Sequence, residues 1–243
     1  MKQFVLLVLA CVIPATAHAQ TWQVPTAAER CPSKWGADDT RGSANHMKPE
    51  SVLKATRLIK TGEVIEIGQV LNAAMPFFGT RRFDVTTKRT FMNDGSNRRG
   101  SNEELVVGEM GQIGTQFDGF AHQTHEGSLY NCVKLDDIAT RSGFTKFGIE
   151  KVGSLITRGV LIDVAALKGV EMLPDAYEIT PADLQQALER QKMTLQPGDA
   201  VLIHTGWSRL WAKDNPRYVK SCPGIGIAAA AWLGEAGSDA RRR

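Results

Sequence analysis

Four residues with chemical potential fall within the stretch "GQIGTQFDGFAH", Gly111 to His122: Gln112, Gln116, Asp118 and His122. A carboxylate and an imidazole four positions apart can pass a proton or share a metal ion, and each glutamine adds a neutral carbonyl oxygen and an amide donor. If "QIGTQFD" runs as a strand, side chains alternate faces. Gln112, Gly114, Gln116 and Asp118 then share one face, and Ile113, Thr115 and Phe117 the other. Gly114 leaves room beside the polar row, and Gly119 permits a turn that brings His122 back toward Asp118. The same spacing also suits a solvated strand edge with a histidine nearby, so spacing alone leaves both readings open.

The other histidines extend the candidate set. His125, three residues past His122, is either a substitute ligand or an exposed loop histidine. His204 stands in "VLIHTGW" at a predicted strand end, either as a satisfied core histidine or as a site residue. His46 lies in a polar N-terminal arm, where a structural role is expected. Trp35, Phe77 and Phe78 can line a flat aromatic pocket for substrate, with core packing as the default for any one aromatic.

These residues need elements to hold them. Residues 21–48 read as an irregular arm of polar and small residues. Pro49 suits the first turn of a helix, Val52, Ala55 and Ile59 follow at helical spacing, and Gly62 is a stop. "EVIEIGQVL" (63–71) alternates like a strand, and residues 93–104 read as a polar loop, a flexible rim or lid. "GVLIDVAAL" is a continuous apolar run of the kind found in a buried strand. Thr180-Pro181-Ala182-Asp183 marks a helix start, with Leu184, Ala187 and Leu188 on one side of the helix through Gln191. "QPGDAVLIHTGW" reads as a turn and a buried strand, and "GIAAAAWLGEAG" as a short helix. The mixture without regular alternation predicts a single α/β or α+β domain.

The chain has 243 residues, 42% hydrophobic and 23% charged, enough for one core and ordinary for a globular protein. Its net charge of +3 includes the terminal run Arg241, Arg242, Arg243. There is no basic stripe interleaved with aromatics, so nucleic acid is not an expected partner. Lys2, the apolar run Phe4–Ile13 and the small-x-small site Ala17-His18-Ala19 predict a leader over residues 1–19, cleaved before Gln20. The mature protein, 20–243, is then a single exported domain, secreted or periplasmic, with no later membrane span. Cleavage removes Cys11 and leaves Cys31, Cys132 and Cys222, so at most one internal disulfide forms; these cysteines read as structural.

The stretch from Gln112 to His122 resembles the cyclase family, which includes bacterial kynurenine formamidase and isatin hydrolase and carries H-x-G-T-H-x-D-x-P-x-H. Gly114, Thr115, Asp118 and His122 match; Gln112 and Gln116 stand where that family has metal-binding histidines, and Phe120 where it has proline. "KWGADDTRGSAN", "RGVLIDVA", "ITPADL", "GDAVLIHTGW" and "PGIGIAAAAWL" are similar to successive landmarks of a branch in which GTQ-x-D is common. The resemblance covers roughly residues 34–235, and it implies a mixed α/β cyclase-like fold with a central sheet or barrel-like core flanked by helices.

By the same resemblance, Asp118 with Gln112 and Gln116 would hold a divalent metal (manganese, zinc or magnesium) and His122 would serve in acid/base catalysis. The two amides make that metal weakly held, since a neutral carbonyl oxygen is a poorer zinc ligand than imidazole. The implied activity is metal-dependent hydrolysis of a small aromatic amide, arylformamidase-like, as in tryptophan catabolism to kynurenine. The alternative is an exported non-catalytic binding protein or inactive remnant. The resemblance also implies a homo-oligomer, and it leads one to expect a C-terminal segment with a further histidine and glutamate that this sequence lacks.

Overall fold

The computed structural model describes residues 25–92, 98, 100–109 and 111–236. The predicted leader, residues 1–19, and the C-terminal arginines lie outside the described residues. The class is mixed α/β, as expected, and the described strands form four two-stranded sheets.

The N-terminal part is irregular. Helix α1 (Ala27–Arg30) starts with a capping box in which Thr26 and Glu29 satisfy each other's backbone N–H groups. A 3-10 turn at Gly42–His46 follows, then α2 (Pro49–Thr56), which opens on the expected proline. The helix ends before Ile59, shorter than the apolar spacing suggested. The strand expected over 63–71 does not form: Val64 is 94% exposed and Ile67 74%, with no partner strand among the described residues. Alternation is a pattern that a strand needs, but without a facing strand the backbone has no ladder to join. One tie to the site loop is present, from the Gln69 N–H to Thr115 Oγ1 at 2.9 Å.

Strands β1 (Phe83–Met92) and β2 (Gly100–Gly108) pair antiparallel. The polar loop expected over 93–104 is therefore strand from Gly100 onward; 93–97 and 99 lie outside the described residues. Polar residues are tolerated in this ribbon because it is exposed, and Lys88 stands opposite Glu103 with complementary charge. Helix α3 (Leu135–Ile138) leads into a tight hairpin, β3 (Ala139–Thr140) with β4 (Gly143–Phe144).

The main core lies in the C-terminal half. Strand β5 (Gly159–Asp163) turns directly into α4 (Val164–Leu167), with Asp163 as N-cap accepting from the Ala166 N–H. The run "GVLIDVAAL" is thus half strand and half helix. Only one face of the strand is dry: Val160 and Ile162 are buried, while Leu161 is exposed. Strand β6 (Glu178–Ile179) precedes α5 (Pro181–Gln191), where the predicted capping box is present and Leu184, Ala187 and Leu188 are buried. Strand β7 (Ala200–His204) pairs parallel with β5 from Gly159↔Ala200 to Asp163↔His204. Arg158 fixes the start of that register by donating from Nε to Asp199 at 2.9 Å. Gln191 closes the β5 edge: its Nε2 donates to the Leu161 carbonyl and its Oε1 accepts from the Asp163 N–H. Helix α6 (Asn215–Lys220), strand β8 (Gly224–Ile225, paired with β6) and α7 (Ile227–Ala236) complete the described chain, with Ala229 of α7 buried in the core. No helix among the described residues is long and apolar enough to cross a membrane.

Candidate functional site

Residues 111–118 form a bent loop rather than the expected strand. Gln112 (φ 58°) and Gly114 (φ 81°) take left-handed backbone conformations, which break a period-two ladder. The polar groups nonetheless converge, through the loop's own hydrogen bonds. Gln116 Oε1 accepts from the Ile113 N–H at 2.9 Å. Its Nε2 faces the carboxylate of Asp118, 3.3 Å from each oxygen. The His122 N–H donates to the Gly119 carbonyl at 3.0 Å, closing the expected turn and setting His122 Nε2 3.8 Å from Asp118 Oδ2. Both side chains are partly open to solvent, Asp118 38% and His122 28% exposed. Gly111 makes the approach possible: a Cβ there would stand 3.1 Å from His122 Cε1 and 3.9 Å from Asp118 Oδ1.

The back of the loop rests on hydrophobic side chains. A Cβ on Gly114 would lie 2.6 Å from Leu71, 3.2 Å from the Trp211 ring and 3.8 Å from the Met75 sulfur. Trp211 packs edge-on to Tyr218, with ring centroids 5.4 Å apart, and Tyr218 meets Phe78 at 6.3 Å. Phe78 is therefore in an aromatic group beside the loop, with Trp211 and Tyr218 as members that sequence reasoning missed. Phe77 is half-buried.

The remaining candidates stand elsewhere. Trp35 packs edge-on to His46, with Lys34 over its ring, inside the arm. His125 is exposed and its backbone pairs with Ser128. His204 pairs with Asp163, Nδ1 to Oδ1 at 3.0 Å, across the C-terminal ends of β5 and β7. Burial pushes the Asp163 carboxyl upward, but the Ala166 N–H and His204 outweigh it and hold it below the ordinary range. The signal for this partner was readable, since "GVLID" and "AVLIH" are two matched apolar runs ending on polar residues.

Whether these groups suit a metal is a question of donor type. Gln116 turns its only ligating atom, Oε1, to a backbone N–H and presents N–H donors to Asp118. Because the Ile113 N–H needs an acceptor, this amide orientation is the one the hydrogen bonds require. Asp118 and His122 remain as a two-group set, and among the described residues no three His, Cys, Asp or Glu side chains gather as a metal-binding group. This arrangement does not fit a tightly held divalent ion.

A family model and a solved structure point to the same class. The cyclase family model matches residues 65–240. A solved structure described as a novel cyclase aligns with TM-score 0.79 and 32% identity, over 88% of this chain and 75% of that one. A second, described as an isatin hydrolase bound to the product analogue thioisatinate, aligns at TM-score 0.49 and 20% identity, over 79% of this chain and 71% of its own. No curated protein matches the chain. The chain belongs to the cyclase family.

Proposed function

We propose that the protein is a hydrolase that cleaves the C–N bond of a small aromatic amide, a reaction of the arylformamidase type such as supplies tryptophan catabolism. The observation that carries this reading is the juxtaposition of Asp118 and His122, 3.8 Å apart on a turn, in a chain of the cyclase family. His122 takes the proton of the attacking water and returns it to the leaving amine. Asp118 faces the imidazolium that forms and stabilises its charge. The Gln116 amide, donating to both carboxylate oxygens, keeps Asp118 aimed. Phe78, Tyr218 and Trp211 offer flat surfaces beside the loop for the aromatic part of the substrate. We also propose that the protein works outside the cytoplasm, a reading supported by the Cys31–Cys132 disulfide.

The experiment is hydrolysis of formanilide, a formylated aromatic amine, by the mature chain and its His122→Ala variant. Turnover by the parent and its loss in the variant are expected; equal turnover by both removes His122 from the reaction. A second reading, a non-catalytic binding protein, is favoured by the Gln116 orientation, which satisfies Asp118 without a metal. Saturable calorimetric binding of the amide with no hydrolysis is the result that would select it.

A further inference from the structure

The N-terminal arm is fastened to the segment that follows His122 by ties of three kinds. Cys31 and Cys132 form a disulfide across a sequence separation of 101. The Asn131 side chain accepts from the Ser33 N–H at 2.6 Å and donates to the carbonyls of Gly36 and Ala37. Tyr130 OH donates to Asp39 Oδ2 at 2.9 Å, and the same carboxylate accepts from the Gly42 N–H at 2.7 Å and from Asn45.

These ties converge on Phe120, two residues before His122. The Phe120 ring stacks on Tyr130, with centroids 4.2 Å apart, and its far edge presses on Gly42, where a Cβ would stand 2.6 Å from Cζ. Gly42 has φ 52°, a left-handed position that keeps its backbone flat against the ring. On the other side, Phe147 meets Phe120 edge-on at 6.2 Å. Phe120 is thus held between the arm and a small buried cluster, and the turn that carries His122 begins at its neighbour, Gly119. Asn131 and Cys132 both have φ 56°; asparagine takes this left-handed position readily, but at Cys132 it is uncommon and the surrounding bonds hold it.

We propose that the disulfide-fastened arm is a positioning device for His122, acting through Phe120 and Tyr130, so that reduction of Cys31–Cys132 uncouples the acid/base group from Asp118. The reductant is a dithiol. Its sulfurs form a new disulfide as the protein S–S bond breaks, and two electrons and two protons pass to Cys31 and Cys132 as thiols. With the bond open, Cys132 relaxes, Asn131 and Tyr130 leave the arm, and Phe120 loses the surface that fixes it. The catalytic consequence rests on the hydrolase reading; the structural consequence does not.

The test compares hydrogen exchange and formanilide turnover in the full mature chain before and after dithiothreitol, and in a Cys31→Ser, Cys132→Ser double variant. Expected are faster exchange over residues 31–46 and over 119–122, unchanged protection of Val160–Ile162, and turnover lower by roughly 10²-fold, the cost typical of an ångström-scale misplacement. Reoxidation restores the parent but not the double variant. Gly42→Ala, which pushes Phe120 aside with the disulfide intact, lowers turnover in the same direction. The proposal is overturned if residues 119–122 stay protected when the arm opens, if the Val160–Ile162 core opens with it, or if the double variant turns over like the oxidised parent. If the oxidised parent has no turnover, the hydrolase reading fails, and the exchange pattern alone decides the positioning role.

Discussion

The amide nitrogen of Gln116 lies 3.3 Å from each carboxylate oxygen of Asp118. A donor occupies the space that a cation would need, and the glutamine oxygen is held away by the Ile113 N–H. Replacing both Gln112 and Gln116 with histidine removes that donor and adds two imidazoles beside Asp118. Zinc affinity in a calorimetric titration is expected to rise by at least about 10-fold, since even outer-shell partners of a metal ligand carry that much. An unchanged affinity means that the two positions do not converge on Asp118.

His122 is expected to be the acid/base group. His122→Ala should lower formanilide turnover by about 10²- to 10⁴-fold, the usual contribution of a positioned proton carrier. The far-ultraviolet circular dichroism should be unchanged, because the side chain is partly exposed and only its backbone N–H closes the turn.

Acid stability should depend on Asp183, which is 4% exposed. Burial alone would raise its pKa, but hydrogen bonds from Lys168, from the N–H and hydroxyl of Thr180 and from Tyr177 prevail and bring it from 3.8 to about 2. A carboxyl with a depressed folded-state pKa adds stability above its unfolded value. That contribution fades as pH falls from about 4 to about 2, and it amounts to roughly 2 kcal/mol. Asp183→Asn should flatten the fall in melting temperature over this window; a parallel fall in both proteins assigns acid sensitivity to other groups.

The leader expected over residues 1–19 makes a direct prediction of mass. Protein recovered outside the cytoplasm should begin at or near Gln20, and intact mass spectrometry that finds Met1 retained refutes export by cleavage.

How much of this was legible in the sequence depended on how far each feature reaches along the chain. The Thr180–Asp183 capping box is local, and the helix began where the residues said it would. The loop at Gln112 was misread as strand because its left-handed turn depends on Gln116, four residues on, capturing a backbone N–H. Glu63–Leu71 has a strand's alternation, yet pairing is a property of two segments and cannot be read from one. The aromatic group brings Phe78 to Trp211 and Tyr218 from a distant part of the chain, so no window of sequence displays it. His122 and Asp118 still lie near each other because a four-residue spacing survives the change from strand to turn.

The Cys31–Cys132 tie also bears on the order of events during synthesis. The arm is made early but has nothing to grip until residues 120–147 exist, so it waits while much of the chain is added. Its partner sulfur then emerges well before Cys222, which among the described residues is the free, exposed thiol. A chain delivered N-terminus first therefore meets the correct cysteine before the wrong one is available. A denatured chain of residues 20–243 placed in oxidising buffer has no such head start and must choose among Cys31, Cys132 and Cys222 at once.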